Sequence, residues 1–264
     1  MISKPASSCP PSAPDVRAGS TTCRLLPWSV ADGAANMAAD EVLLESAVSG
    51  VASLRFYGWS QATLSLGYFQ SHSLRGSDEV VGDLPYVRRP SGGDALVHHH
   101  EVTYALALPA GAAWRSDRPS NWLCRVHGTI GAALAELGVA TSSCPSDPVE
   151  RASRFLCFGH AVAGDRLIGT AKVVGSAQRR HRGAIMQHGA ILLARSLHTP
   201  SLPGIRELTG KSLEPAILRD EIAAVLAREV GWQLSAGTWE PLEIDRIRFL
   251  GEAKYRQPAW NDKR

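Results

Sequence analysis

Arg166-Leu-Ile-Gly-Thr-Ala-Lys-Val-Val174 is the stretch on which the fold turns. Two short strand-like runs, Arg166–Ile168 and Lys172–Val174, flank Gly169-Thr170, a two-residue hairpin signal. A hairpin makes sequential strands antiparallel, so this part of the sheet is not built from βαβ units. Downstream, Ala184 to Leu193 reads as another strand, and Leu218 to Val230 as an amphipathic helix ended by Gly231. Upstream, Val102, Tyr104, Leu106 and Leu108 alternate with smaller or polar residues, the period of a strand. Ser120 is positioned to cap a helix whose Leu123, Val126, Ile130, Leu134 and Leu137 share a face, with Gly138 as its stop. Thr141 to Arg154 reads as a loop. Nearer the start, Asp32 to Gly50 fits a helix with Leu43, Leu44, Ala47 and Val48 on one face, followed by strands over Ser53–Trp59 and Leu64–Tyr68. Helices and strands are interspersed without a βαβ rhythm. The expected class is therefore α/β (α+β), with a mixed, largely antiparallel sheet flanked by helices.

The bulk properties narrow the field. With 264 residues, 44% hydrophobic and 20% charged, the chain is long enough to bury one sizeable core. Residues 1–22, rich in Ser, Pro and Ala, lack the apolar segment of a signal peptide and read as a disordered tail ahead of one domain over 23–264. No apolar run reaches the ~18 residues of a membrane span, so the expectation is a cytoplasmic protein without a membrane partner. A net charge of +3 suits an acidic protein surface better than a nucleic acid. Five cysteines with no Cys-x-x-Cys pair argue against a disulfide scaffold or a structural zinc site.

Four clusters carry possible chemistry. Arg88-Arg-Pro-Ser-Gly-Gly-Asp94 joins two guanidinium groups to a glycine backbone that allows close approach, which suits a carboxylate, phosphate or thioester oxygen; a plain surface turn has the same composition. In His98-His99-His100 only His98 and His100 would share a strand face, and nothing at a suitable spacing completes a metal site, so none is expected. Lys172 lies just past the hairpin turn and can fold back toward Cys157, where an ammonium would favour the thiolate. The apolar Phe155, Leu156 and Phe158 fit a buried structural cysteine as well. Gln178-Arg-Arg-His-Arg182 is a solvated face, an acidic-carrier contact or a phosphate contact.

Taken in order, several segments resemble the lipoate ligase and octanoyltransferase family, which shares its catalytic fold with biotin protein ligase. They are Asn36-Met-Ala-Ala-Asp-Glu-Val-Leu-Leu44, Leu54-Arg-Phe-Tyr-Gly-Trp59, Ser65-Leu-Gly-Tyr-Phe-Gln70 and Arg88-Arg-Pro-Ser-Gly-Gly-Asp-Ala-Leu-Val-His98. Glu101-Val-Thr-Tyr104, Lys172-Val-Val-Gly-Ser-Ala-Gln-Arg-Arg180, Gln187-His-Gly189 and Lys254-Tyr-Arg-Gln-Pro-Ala-Trp260 follow. Asp94 replaces a glycine usual in the family's loop.

The resemblance implies one of two reactions. Ligases activate lipoate with ATP and magnesium; transferases use no cofactor and carry octanoate from acyl carrier protein to a lysine of a lipoyl-carrier domain, in a glycine cleavage carrier or a 2-oxoacid dehydrogenase subunit. In the cysteine-dependent, LipM-type branch, a Cys-Phe pair stands fifteen residues before the lysine, as Cys157-Phe158 and Lys172 do here. Ala163-Gly-Asp165 stands where ligases have an Arg-Asn-Asp type segment, and the chain shows no separate accessory domain. The resemblance therefore favours the transferase, with Cys157 and Lys172 catalytic. It places Arg89, Ser91, Gly92, Gly93, His98, Gly175, Ser176, Ala177 and His188 at the substrate.

Overall fold

The computed structural model describes residues 22–77, 79–111, 119–145 and 155–264. In chain order the elements are β1 (Thr22–Leu25), β2 (Ser29–Ala31), α1 (Gly33–Val48), β3 (Ser53–Trp59), β4 (Thr63–Leu66) and α2 (Glu79–Gly82). Next come β5 (Tyr86–Arg88), β6 (Leu96–His98), β7 (Glu101–Leu108), α3 (Pro119–Glu136), β8 (Ser142–Ser143), β9 (Arg166–Ile168), β10 (Ala171–His181) and β11 (Ala184–Leu192). The chain closes with α4 (Ile205–Thr209), α5 (Pro215–Val230), β12 (Gln233–Ala236), α6 (Pro241–Leu250) and α7 (Pro258–Asn261).

The large sheet has the order β12-β1-β3-β7-β11-β10-β9-β8, with β2 beside β3. Every neighbour from β3 to β8 is antiparallel, and β1 joins β3 and β12 in parallel. A second sheet, β5-β4-β6, stands beside it. The hairpin at Gly169-Thr170 is present, Ala171 facing Ile168 with Gly169 at φ +59°.

Strand β7 shows how the layers are set. Tyr104, Leu106 and Leu108 point into a core with Trp122, Val126, Ile130 and Leu134 of α3 and Leu218, Ile222 and Leu226 of α5. The alternate residues Ala105 and Ala107 face α1, whose Met37, Leu43 and Leu44 pack close because only methyl groups intervene. Both faces of β7 are thus covered, which explains why all eight of its residues are buried.

Several sequence expectations shift in detail. Asp32 caps α1 by accepting from the Ala35 amide at 2.9 Å, but Val48, expected on the apolar face, is 37% exposed. Helix α3 begins at Pro119, so Ser120 lies inside its first turn rather than at its cap. Strand β4 stops at Leu66, not Tyr68, because Gly67 turns against the Gly92-Gly93 segment. A short β8 interrupts the loop expected over 141–154, and residues 146–154 lie outside those described. The expected tail also lies there except for Thr22, which already belongs to β1.

Candidate active site

A cavity of about 50 Å³ opens between the two sheets. Met37 of α1, Tyr57 of β3, Ser65 of β4 and Leu96 and His98 of β6 form one side. Gly175, Ser176 and Ala177 of β10 and His188, Gly189 and Ala190 of β11 form the other, with Arg89, Gly93, Thr103, Cys157 and Phe158 completing it. Seven of the residues expected at the substrate are therefore on its wall. Ser91 and Gly92 are not among its lining residues.

Cys157 begins a single 3₁₀ turn and is half-buried. Its amide donates to the Ala95 carbonyl at 2.7 Å, and the Ala95 amide donates to Phe155 at 3.0 Å, so the thiol-bearing segment is stitched to the end of the glycine loop. Lys172 reaches it from β10. Its Nζ lies 3.3 Å from Cys157 Sγ, 3.3 Å from the Cys157 carbonyl and 2.8 Å from Asp165 Oδ2. Burial pushes the Lys172 ammonium down, yet Cys157 and Asp165 together outweigh it and hold the group above the ordinary lysine range.

Two backbone features let the lysine reach so far. The register of β10 against β9 shifts between Lys172 and Val174, a bulge that puts consecutive Val173 and Val174 in the same core. Gly175 then leaves the space the side chain crosses, since a Cβ there would sit 2.4 Å from Lys172 Cε.

The arginine pair corrects the sequence reading. Neither guanidinium is held out to a ligand. Arg88 donates to the carbonyls of Gly67 at 2.9 Å, Gln70 at 2.7 Å and Asn261 at 2.7 Å. Arg89 donates to Ser65 O and Oγ, both at 3.1 Å, to Gly92 O at 3.0 Å and to Asp94 O at 2.6 Å. Both brace the loop from inside. Gly93 takes φ +88°, and a Cβ on Gly67 would lie 1.7 Å from its carbonyl oxygen, so these two backbones touch. Asp94, in the position where the resemblance expects glycine, faces His160 Nε2 at 3.4 Å, a second tie between the loop and the thiol segment.

The polar side chains on the cavity wall are satisfied from behind. His188 Nδ1 meets Asp40 Oδ2 at 2.7 Å and its Nε2 meets Ser91 Oγ at 2.5 Å. Asp40 also accepts from Tyr57 at 2.8 Å and Arg55 at 3.0 Å. His98 stacks on Trp59 at 3.8 Å and bonds Glu101 at 2.5 Å and Ser65 at 2.8 Å. His99 stacks on His100 instead, so the histidine triplet does not converge. Among the described residues no group of three or more His, Cys, Asp or Glu is arranged to hold a metal. Ser176 Oγ lies 2.8 Å from Nε2 of His127, a buried residue of α3. What remains facing the cavity is mostly apolar.

Sequence reasoning did not single out Asp40, Ser65, His127 or Asp165. Asp40 and Ser65 lay in segments that carried the family resemblance, and Asp165 in the departure noted from ligases. Only His127 had no signal beyond a polar residue on an apolar helix face.

The geometry agrees with the comparisons. The family model of the lipoyl protein ligase A/B catalytic domain matches residues 32–216. The chain belongs to this family. Within it, the chain is 35% identical to Octanoyltransferase LipM of Symbiobacterium thermophilum, over 91% of this chain and 98% of the relative. It is 29% identical to Octanoyltransferase LipM of Bacillus subtilis, over 92% and 99%. In fold, it matches lipoate-protein ligase A bound with ATP at a TM-score of 0.73, with 19% identity and coverage of 92% and 99%. A bi-partite lipoate protein ligase from Thermoplasma acidophilum gives 0.69, with 17% identity and coverage of 92% and 96%. The fold is thus that of lipoate-protein ligases. No described helix is long and apolar enough to cross a membrane.

Proposed function

We propose that this protein is an octanoyltransferase: Cys157 takes an octanoyl group from octanoyl acyl carrier protein and passes it to a lysine of a lipoyl-carrier domain. The observation that carries the reading is the Lys172 ammonium 3.3 Å from the Cys157 thiol at the wall of a largely apolar cavity. The ammonium is placed to pair with the sulfur as an anion, the form that attacks a thioester. It also neutralises charge on the oxyanion, together with the Gly92-Gly93 backbone; such a donor is worth about 10²–10³ in rate. The acyl tail fills the cavity, each buried methylene contributing about 0.8 kcal/mol before binding costs. Arg89, Ser91 and His188 shape that cavity through the bonds they make to protein groups, and His98, Gly175, Ser176 and Ala177 line the path of the chain. Neither transfer needs ATP, a metal or another cofactor. The relatives named as octanoyltransferases support the reading, as does the match of Cys157-Phe158 and Lys172 to the cysteine-dependent branch.

The test is intact mass after mixing with octanoyl acyl carrier protein, without ATP. The expected result is a hydroxylamine-labile octanoyl adduct that Cys157→Ser does not form as a thioester. A lipoyl- or octanoyl-adenylate made from ATP and free acid, with no adduct, would instead make the protein a ligase and leave Cys157 a wall residue.

A further inference from the structure

An amine that attacks a thioester must shed a proton, and Lys172 is poorly placed to take it. Its Nζ is already an ammonium pinned between Asp165 and Cys157. Three imidazole–serine pairs surround the cavity, and they differ in what they can do. Ser91 Oγ joins His188 but is off the cavity wall and 1% exposed. Ser65 Oγ is on the wall but already holds Arg89 Nη1 and His98 Nε2, so a cation opposes any added proton. Ser176 Oγ is on the wall, beside Gly175 where the Lys172 side chain passes, and has His127 behind it. His127 Nδ1 donates to the Gly164 carbonyl at 2.8 Å, so Nε2 carries the lone pair and accepts from Ser176. The Tyr104 hydroxyl also neighbours Ser176 and accepts from Gln187 at 3.0 Å.

We infer that Ser176 and His127 form the proton path for the second transfer, from the acceptor amine through Ser176 Oγ to His127 Nε2. This rests on the octanoyltransferase reading. The neutral amine nitrogen bonds to the thioester carbon, and the carbonyl π pair moves to oxygen. The cationic nitrogen gives one proton to Ser176 as Ser176 gives its own to His127. The oxyanion then collapses, the C–S bond breaks, and its electron pair leaves on Cys157 as thiolate beside Lys172. Products are the amide, the thiolate and an imidazolium, which returns its proton to solvent. His127 acts only through Ser176 and is a positioning residue; Ser176 is the group that meets the amine. The charged and titratable groups around the pair are Asp165, Lys172, Arg166 and Tyr104, with Asp165 favouring the imidazolium and the two cations opposing it. Burial holds the free imidazole below the ordinary histidine range, which keeps it an available base at neutral pH.

The experiment follows the two transfers separately by rapid quench and intact mass. Octanoyl acyl carrier protein is the donor, a purified apo lipoyl domain the acceptor, and the enzymes are wild type, Ser176→Ala and His127→Asn. The asparagine keeps a donor toward Gly164 and removes the base. The expected result is adduct formation within a few-fold of wild type, with adduct decay onto the lipoyl domain slowed about 10²-fold or more. In wild type the decay rate falls with falling pH through two protonations, of the amine and of His127, and in both variants only the amine's dependence remains. Equal slowing of both transfers, or of neither, would overturn the relay while leaving the enzyme an octanoyltransferase. Absence of any wild-type adduct would overturn the functional reading and the relay with it.

Discussion

Two chains of polar groups meet at the cavity, and they use similar chemistry to opposite ends. Asp165, Lys172 and Cys157 run from a buried carboxylate through an ammonium to a half-buried sulfur. Asp40, His188 and Ser91 run from a buried carboxylate through an imidazole to a hydroxyl, the residue types of a nucleophilic triad. The second chain ends 1% exposed and off the cavity wall, so it can only tie β11 and α1 to the glycine loop. Residue type offers two candidate nucleophiles, and only Cys157 reaches the cavity wall.

Four substitutions can break this contrast, and the most damaging comes first. Cys157→Ala is expected to abolish the hydroxylamine-labile adduct altogether, read by intact mass, whereas Ser91→Ala leaves it; an adduct that survives at Cys157→Ala would move the nucleophile elsewhere. Lys172→Met should slow adduct formation by about 10²–10³, the worth of one oxyanion donor. The pH dependence has a definite sign. Because the folded group is held above the ordinary lysine range, its charge and the stability it contributes persist through pH values near 10.4 and are lost only above them. Asp165→Asn leaves the Lys172 ammonium without its carboxylate in a buried site, which should lower unfolding stability by about 3–5 kcal/mol in urea titration. Ser91→Ala is the mildest: it strands His188 Nε2 at about 1–3 kcal/mol of stability, with less than about tenfold loss in transfer rate. A larger kinetic loss there would mean that the second chain takes part in chemistry.

How much of this was readable beforehand depends on the range of the interaction. The hairpin at Gly169-Thr170, the helix α1 from about Asp32 and the return of Lys172 to Cys157 were legible because each is decided by residues close in sequence or by a turn between them. The fate of Arg88 and Arg89 was not. Two arginines beside glycines look like ligand donors until their acceptors are known, and for Arg88 one of these is the Asn261 carbonyl, 173 positions away. Asp165 and His127 were missed for a related reason. A lone aspartate in a loop and a lone histidine in an apolar helix carry no periodicity, and only the folded chain sets them against Lys172 and Ser176. The small residues Ala105 and Ala107 were visible as alternation, but their purpose, letting α1 approach, needed the partner helix.

The clasp between Arg88 and Asn261 has a consequence in time. On the ribosome Arg88 is made 173 residues before the carbonyl that receives two of its nitrogens. At about 5–20 residues per second that interval is roughly 9–35 s. Through about its second half Cys157 and Lys172 are already translated, while the loop that borders them lacks its last fastening, which also includes Trp260 Nε1 on the Arg88 carbonyl at 2.8 Å. A nascent chain therefore carries Cys157 and Lys172 before it carries the residues that fasten the loop beside them.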